Sequence, residues 1–102
     1  MLKTFRSYQL AKELYTTCKT LPAQGEVRDQ LLRASLSVCL NLAEGSGKLG
    51  RKDQRKFYVI ALGSLRETQA IIDIENYKSV AILADNLGAC IWRLIQNTAT
   101  DG

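Results

Sequence analysis

The first apolar stripe along the chain is Phe5, Tyr8, Ala11, Leu14/Tyr15 and Cys18, in steps of three and four. Lys3, Arg6, Lys12, Glu13 and Lys19 fall mostly between its members. This spacing predicts a helix near residues 3–20, stopped at Leu21-Pro22 because the residue before a proline disfavours the α region. A second helix, near 26–44, opens on Glu26, an acid suited to a helix N-terminus. It carries one stripe of Val27, Leu31, Ala34, Val38 and Asn41/Leu42, and beside it Leu32, Ser35/Leu36, Cys39/Leu40 and Ala43. So wide an apolar surface exceeds what one bundle face needs and predicts contact with another chain. Gly45-Ser46-Gly47-Lys48-Leu49-Gly50 breaks the helix.

The third helix, near 51–75, rests on Phe57, Ile60/Ala61, Ser64, Thr68 and Ile71/Ile72, with Tyr58, Leu62 and Leu65 flanking. Asn76-Tyr77-Lys78 reads as a tight turn, and Ser79 as the N-cap of a fourth helix near 79–97. That helix follows Val80, Leu83/Ala84, Leu87, Ile91 and Leu94/Ile95. No stretch alternates with period two, so the class is all-α. Short connections make consecutive helices antiparallel neighbours, which predicts an up-down-up-down four-helix bundle. The 102 residues make one domain, with 98–102 expected to fray.

At 46% hydrophobic and 24% charged, the chain falls among globular proteins and outside disordered ones. It contains no histidine, which removes the commonest general base and the commonest metal ligand. Cys18, Cys39 and Cys90 form no C-x-x-C pair and lie among apolar residues, so they read as buried, reduced thiols. No cofactor or metal is implied, and no nucleophile stands beside a base, so no enzyme activity is expected. The N-terminus is charged from Lys3 and shows no signal-peptide core, and the longest uncharged stretch, Ala34 to Ala43, is about half a membrane span. A cytoplasmic location is expected.

Net charge is +4, and its placement says more than its size. Lys48, Arg51, Lys52, Arg55 and Lys56 stand against Asp53 alone, leaving nine basic and nine acidic residues in the rest of the chain. Cations in the first turns of a helix oppose its macrodipole, so stability alone would put acids there. Two readings of the cluster stay open: a solvated, mildly unfavourable turn, or a contact for phosphates near exposed helix amides. Aromatic side chains close to it in sequence are limited to Phe57 and Tyr58, with Phe57 assigned to the core, so base-specific recognition is not indicated.

Gly45 to Gly50 fits G-x-G-x-x-G, but a dinucleotide turn must follow a strand, and here a helix precedes it. Nor is it a P-loop, since Arg51-Lys52 follows Gly50. Arg33, Asn41, Glu44 and Glu67 flank apolar faces and read as a structural network of charge-assisted hydrogen bonds, buried or at an interface. A di-metal bundle would need Glu-x-x-His partners that the chain lacks.

The run Leu31-Leu-Arg-Ala-Ser-Leu-Ser-Val-Cys-Leu-Asn-Leu-Ala-Glu-Gly-Ser-Gly-Lys48, followed by Phe57-Tyr-Val-Ile-Ala-Leu-Gly-Ser-Leu-Arg-Glu67, resembles a known family. These are the four-helix-bundle proteins encoded in 23S ribosomal RNA intervening sequences, which include the accessory variability determinants of diversity-generating retroelements. Arg33, Ala34, Ser37, Val38, Asn41, Ala43, Glu44 and Gly45 match the first half of its pattern. Phe57, Ala61, Gly63, Ser64 and Glu67 match the second. The link between the third and fourth helices is shorter than the family's, and the chain lies at the low end of its lengths. The resemblance implies a homopentameric barrel and nucleic-acid binding through a basic surface. For retroelement members it also implies association with a reverse transcriptase. The expected function is thus a basic, non-enzymatic oligomer that holds RNA or DNA electrostatically. The alternative is a protein-interaction scaffold of the same fold.

Overall fold

The computed structural model describes residues 5–99. Four helices follow one another: α1 (Arg6–Cys18), α2 (Gly25–Ser46), α3 (Arg51–Glu75) and α4 (Ala81–Ala99), the last entered through a 3₁₀ turn at Lys78–Val80. Among the described residues there is no strand. α2 packs between α1 and α3, and α4 closes the square against α3 and α1. Ser37 meets Ser64 while Gly45 meets Tyr58, so numbering rises on α2 as it falls on α3. Gln69 meets Asp85 while Leu65 meets Gly88, which makes α3 and α4 antiparallel in the same way. The bundle is the expected up-down-up-down one, and the short link leaves α4 regularly packed.

Leu14, Leu31, Leu42, Leu65, Leu87, Ile91, Val38 and Val80 fill the centre and are fully buried. Each contributes about 1.5–3 kcal/mol of transfer free energy. The core line of α3 is Tyr58, Ala61, Leu65, Thr68 and Ile72, one position round from the Phe57 line read in the sequence. The cause lies in α2. Gly45 does not break that helix but sits buried inside it, and a Cβ there would lie 2.6 Å from Tyr58 Cε1. The missing side chain lets the Tyr58 ring lie against the α2 backbone, which turns Phe57 outward to half-exposure.

The connections have local causes. Gly25, at φ 58, starts α2 in a left-handed conformation that suits glycine. Asn76, at φ 61, ends α3. The Tyr77 amide donates back to Ile72 O at 2.9 Å and the Asn76 amide to Asp73 O at 3.2 Å, the paired bonds of a Schellman cap. Ser79 is not an N-cap; it lies within the 3₁₀ turn. α4 runs two residues beyond its expected end, because Thr98 is buried and its hydroxyl donates to Leu94 O and Ile95 O. The expected fraying of 100–102, and the expected helical residues 3 and 4, lie outside the described residues.

Candidate nucleic-acid interface

α3 begins without a side-chain cap, since its N-cap is Gly50, so amides of its first turn point outward with no protein acceptor from that position. The five expected cations cluster round this end, but they do not form one flat patch. Lys48 pairs with Glu44 at 3.0 Å, and its Nζ lies 5.2 Å from the Phe57 ring centroid. Lys56 Nζ approaches the same ring at 6.0 Å. Two cations therefore lie close to the Phe57 ring. Arg51 and Lys52 are exposed and Arg55 is half-buried; among the described residues none of the three has an ion pair. Asp53, the acid of the first turn, is exposed and pairs with none of its neighbours.

Arg33, Glu44 and Glu67 are exposed in the single chain, and no hydrogen bond or ion pair joins any two of the four expected network residues. The polar network that does form is part-buried along the α2/α3 seam and uses smaller groups. Asn41 Nδ2 donates to Ser37 O at 2.9 Å and to Ser37 Oγ at 3.1 Å, and Ser37 Oγ meets Ser64 Oγ at 2.8 Å. Thr68, fully buried, returns its hydroxyl to Ser64 O. Short hydroxyls fit where α2 and α3 approach closely; a long carboxylate there would have to shed its water.

Burial pushes the Cys18 and Cys39 thiols up to about 11, so both stay protonated at neutral pH and are poor nucleophiles. Cys90 is half-buried, with Arg93 Nη2 at 3.5 Å from its sulfur. Among the described residues no His, Cys, Asp and Glu side chains group as a metal site, and no helix is long and apolar enough to cross a membrane.

The family model for 23S rRNA-intervening sequence proteins matches residues 4–86. The chain belongs to this family. The match includes both motif runs, all five cations of the cluster and the first turns of α4. No curated protein and no solved structure matches the chain significantly.

One exposed aromatic escaped the sequence reading. Trp92 belongs to the outer surface of α4, half-exposed, and lies far along the chain from the five cations. Its signal was its place off the Leu87–Ile91–Leu94 stripe, visible only when α4 is read for what its buried face leaves out.

Proposed function

We propose that the chain is a non-enzymatic, basic, homo-oligomeric protein of the cytoplasm that holds RNA or DNA by its phosphates with little sequence preference. The observation that carries this is the uncapped start of α3, where Arg51 and Lys52 stand exposed and without ion pairs beside outward-facing amides. Such an end attracts anions through both its charges and its dipole. Family membership supports the reading, since ribosomal RNA is the setting in which the family is named. A reverse transcriptase or a ribonucleoprotein is the partner that the retroelement resemblance suggests.

The oligomer rests on the outward face of the α2/α3 seam. Four residues on from Ser37 and four back from Ser64 lie Asn41 and Ile60, level with each other, and Leu36 and Leu40 continue the exposed apolar surface. Arg33, Glu44 and Glu67 are exposed charges of the same two helices, available to a neighbouring copy. A pentamer is the state the family resemblance suggests, and it would repeat the cationic end so that weak contacts reinforce one another. This apolar face also favours the second reading, a scaffold that binds a protein and no nucleic acid.

Binding of a mixed-sequence RNA or DNA, measured across salt concentrations, separates the two. Phosphate contact gives log affinity falling linearly with log salt, and replacing Arg51, Lys52, Arg55 and Lys56 by Gln flattens that slope while the fold persists. An unchanged slope in the fourfold variant removes the cluster as the site, and no binding by the parent at low salt leaves the scaffold. Light scattering tests assembly: a clean monomer for the parent at micromolar concentration ends the oligomer reading, and Leu40→Glu is expected to disperse it.

A further inference from the structure

The edge of α3 that borders α4 differs chemically from the rest of that helix. Lys52, Arg55, Val59, Leu62, Arg66 and Gln69 recur in steps of three and four, so they form one line along it. Gln69 Nε2 donates to Asp85 Oδ1 at 3.0 Å, which fixes this line on the α3/α4 seam. On α4 the same face continues from Asp85 through Gly88 to Trp92, again in steps of three and four. Because the helices are antiparallel, seven residues on from Asp85 lies level with seven back from Gln69. Trp92 therefore stands level with Leu62, between Arg66 and Arg55, which are about 16 Å apart along α3.

Trp92 is 51% exposed, and among the described residues its indole has no hydrogen bond, ring contact or cation contact. With Arg66, Asp85, Gly88 and Ala89 it lines an open depression whose floor is kept low by the two small residues. Arg66 is held in place there. Its Nη1 donates to Gln69 Oε1 at 2.6 Å, and the Gln69 amide nitrogen is turned to Asp85. Gln69 thus occupies the carboxylate, and no ion pair joins Arg66 to Asp85. The guanidinium keeps its charge unpaired and most of its N–H groups open.

From this geometry we infer that the α3/α4 seam is a track for single-stranded nucleic acid, with an unpaired base stacked on Trp92 and phosphates on Arg66, Arg55 and Lys52. Aromatic faces between cations bind single strands because every base has a π-face and every linkage a charge. A duplex keeps its base faces inside the stack and can use only the cations. The inference rests on the phosphate-binding reading above and adds to it the strand state and the residue that senses it.

Trp92 is the chain's single tryptophan, so its fluorescence reports on the site alone. The full chain is titrated at low salt with a mixed-sequence single-stranded RNA, the same strand carrying abasic positions, and its duplex. The intact strand is expected to quench Trp92 and to bind more tightly than the duplex or the abasic strand. Trp92→Ala should weaken single-strand binding roughly tenfold, within the range of one stacked base, without altering the salt slope or duplex affinity. Trp92→Phe should restore most of the loss, and Arg66→Gln should reduce the single-strand slope by roughly 0.7. Unchanged circular dichroism of these surface variants shows that the fold persists. If the parent binds the strand with unaltered fluorescence and Trp92→Ala binds it equally well, the stacking inference is overturned while the phosphate reading stands. If the parent binds neither strand nor duplex, the phosphate reading has failed and the inference falls with it, leaving Trp92 to a protein partner.

Discussion

The two edges of α3 are built from different materials. Toward α2 the contacts are short and neutral: Gly45 under Tyr58, Ser37 on Ser64, Asn41 on Ser37. Toward α4 the outer positions carry Lys52, Arg55, Arg66 and Gln69, and the cross-helix hydrogen bond there runs between the long side chain of Gln69 and Asp85. Small neutral groups can be desolvated cheaply when they bond one another, so they allow close backbone approach. Long charged groups keep their heads in water and hold the outer seam open. One edge of the same helix therefore carries stability, while the other stays open to solvent and, on the reading proposed above, to a ligand.

The sharpest way to break this division is Gly45→Val. The new side chain meets Tyr58 at once, and overpacking there should cost about 1–3 kcal/mol in urea unfolding. An unchanged midpoint would mean that Tyr58 swings aside freely and that the α2 edge is not tight. Ser64→Ala comes next, at about 1 kcal/mol, because it removes the Ser37 partner while Asn41 still bonds Ser37 and no buried group is stranded. On the other edge, Gln69→Ala should change stability by no more than about 0.5 kcal/mol. It should nonetheless weaken nucleic-acid binding, since Asp85 is then free to pair with Arg66. A loss as large as that of Ser64→Ala would show the α4 edge to be structural after all. The smallest effect is a gain: exchanging the cations of the first turn of α3 for Gln should raise the unfolding free energy by about a few tenths of a kcal/mol for each charge, read as a slightly higher melting temperature.

The bundle was legible because its signal is periodic. Leu14, Leu31, Val38, Leu42, Leu87 and Ile91 recur at helical spacing, and each is buried where its stripe puts it. Breaks at Pro22 and Asn76 were legible for local reasons, a forbidden backbone region and a tolerated left-handed one. Phe57 and Tyr58 were not separable in the same way, since adjacent aromatics beside a wide stripe fit two rotations of the helix equally well. Gly45 decided between them from another helix. Arg33, Glu44 and Glu67 were expected in a network, buried or at an interface; within the chain they are exposed and unconnected to one another, and Glu44 pairs instead with Lys48.

The class, the number of helices, most of the buried leucines and the gathering of five cations around one turn can be read along the chain, because periodicity, breakers and charge act within a few residues of their cause. Which aromatic faces the core, which polar groups meet, and that Trp92 stands level with Leu62 between Arg66 and Arg55 emerge only when the helices pack. Those facts depend on how one helix is rotated and slid against the next. Rotation and slide are set by contacts such as Gly45 with Tyr58 and Gln69 with Asp85, whose partners lie more than ten residues apart and leave no local pattern.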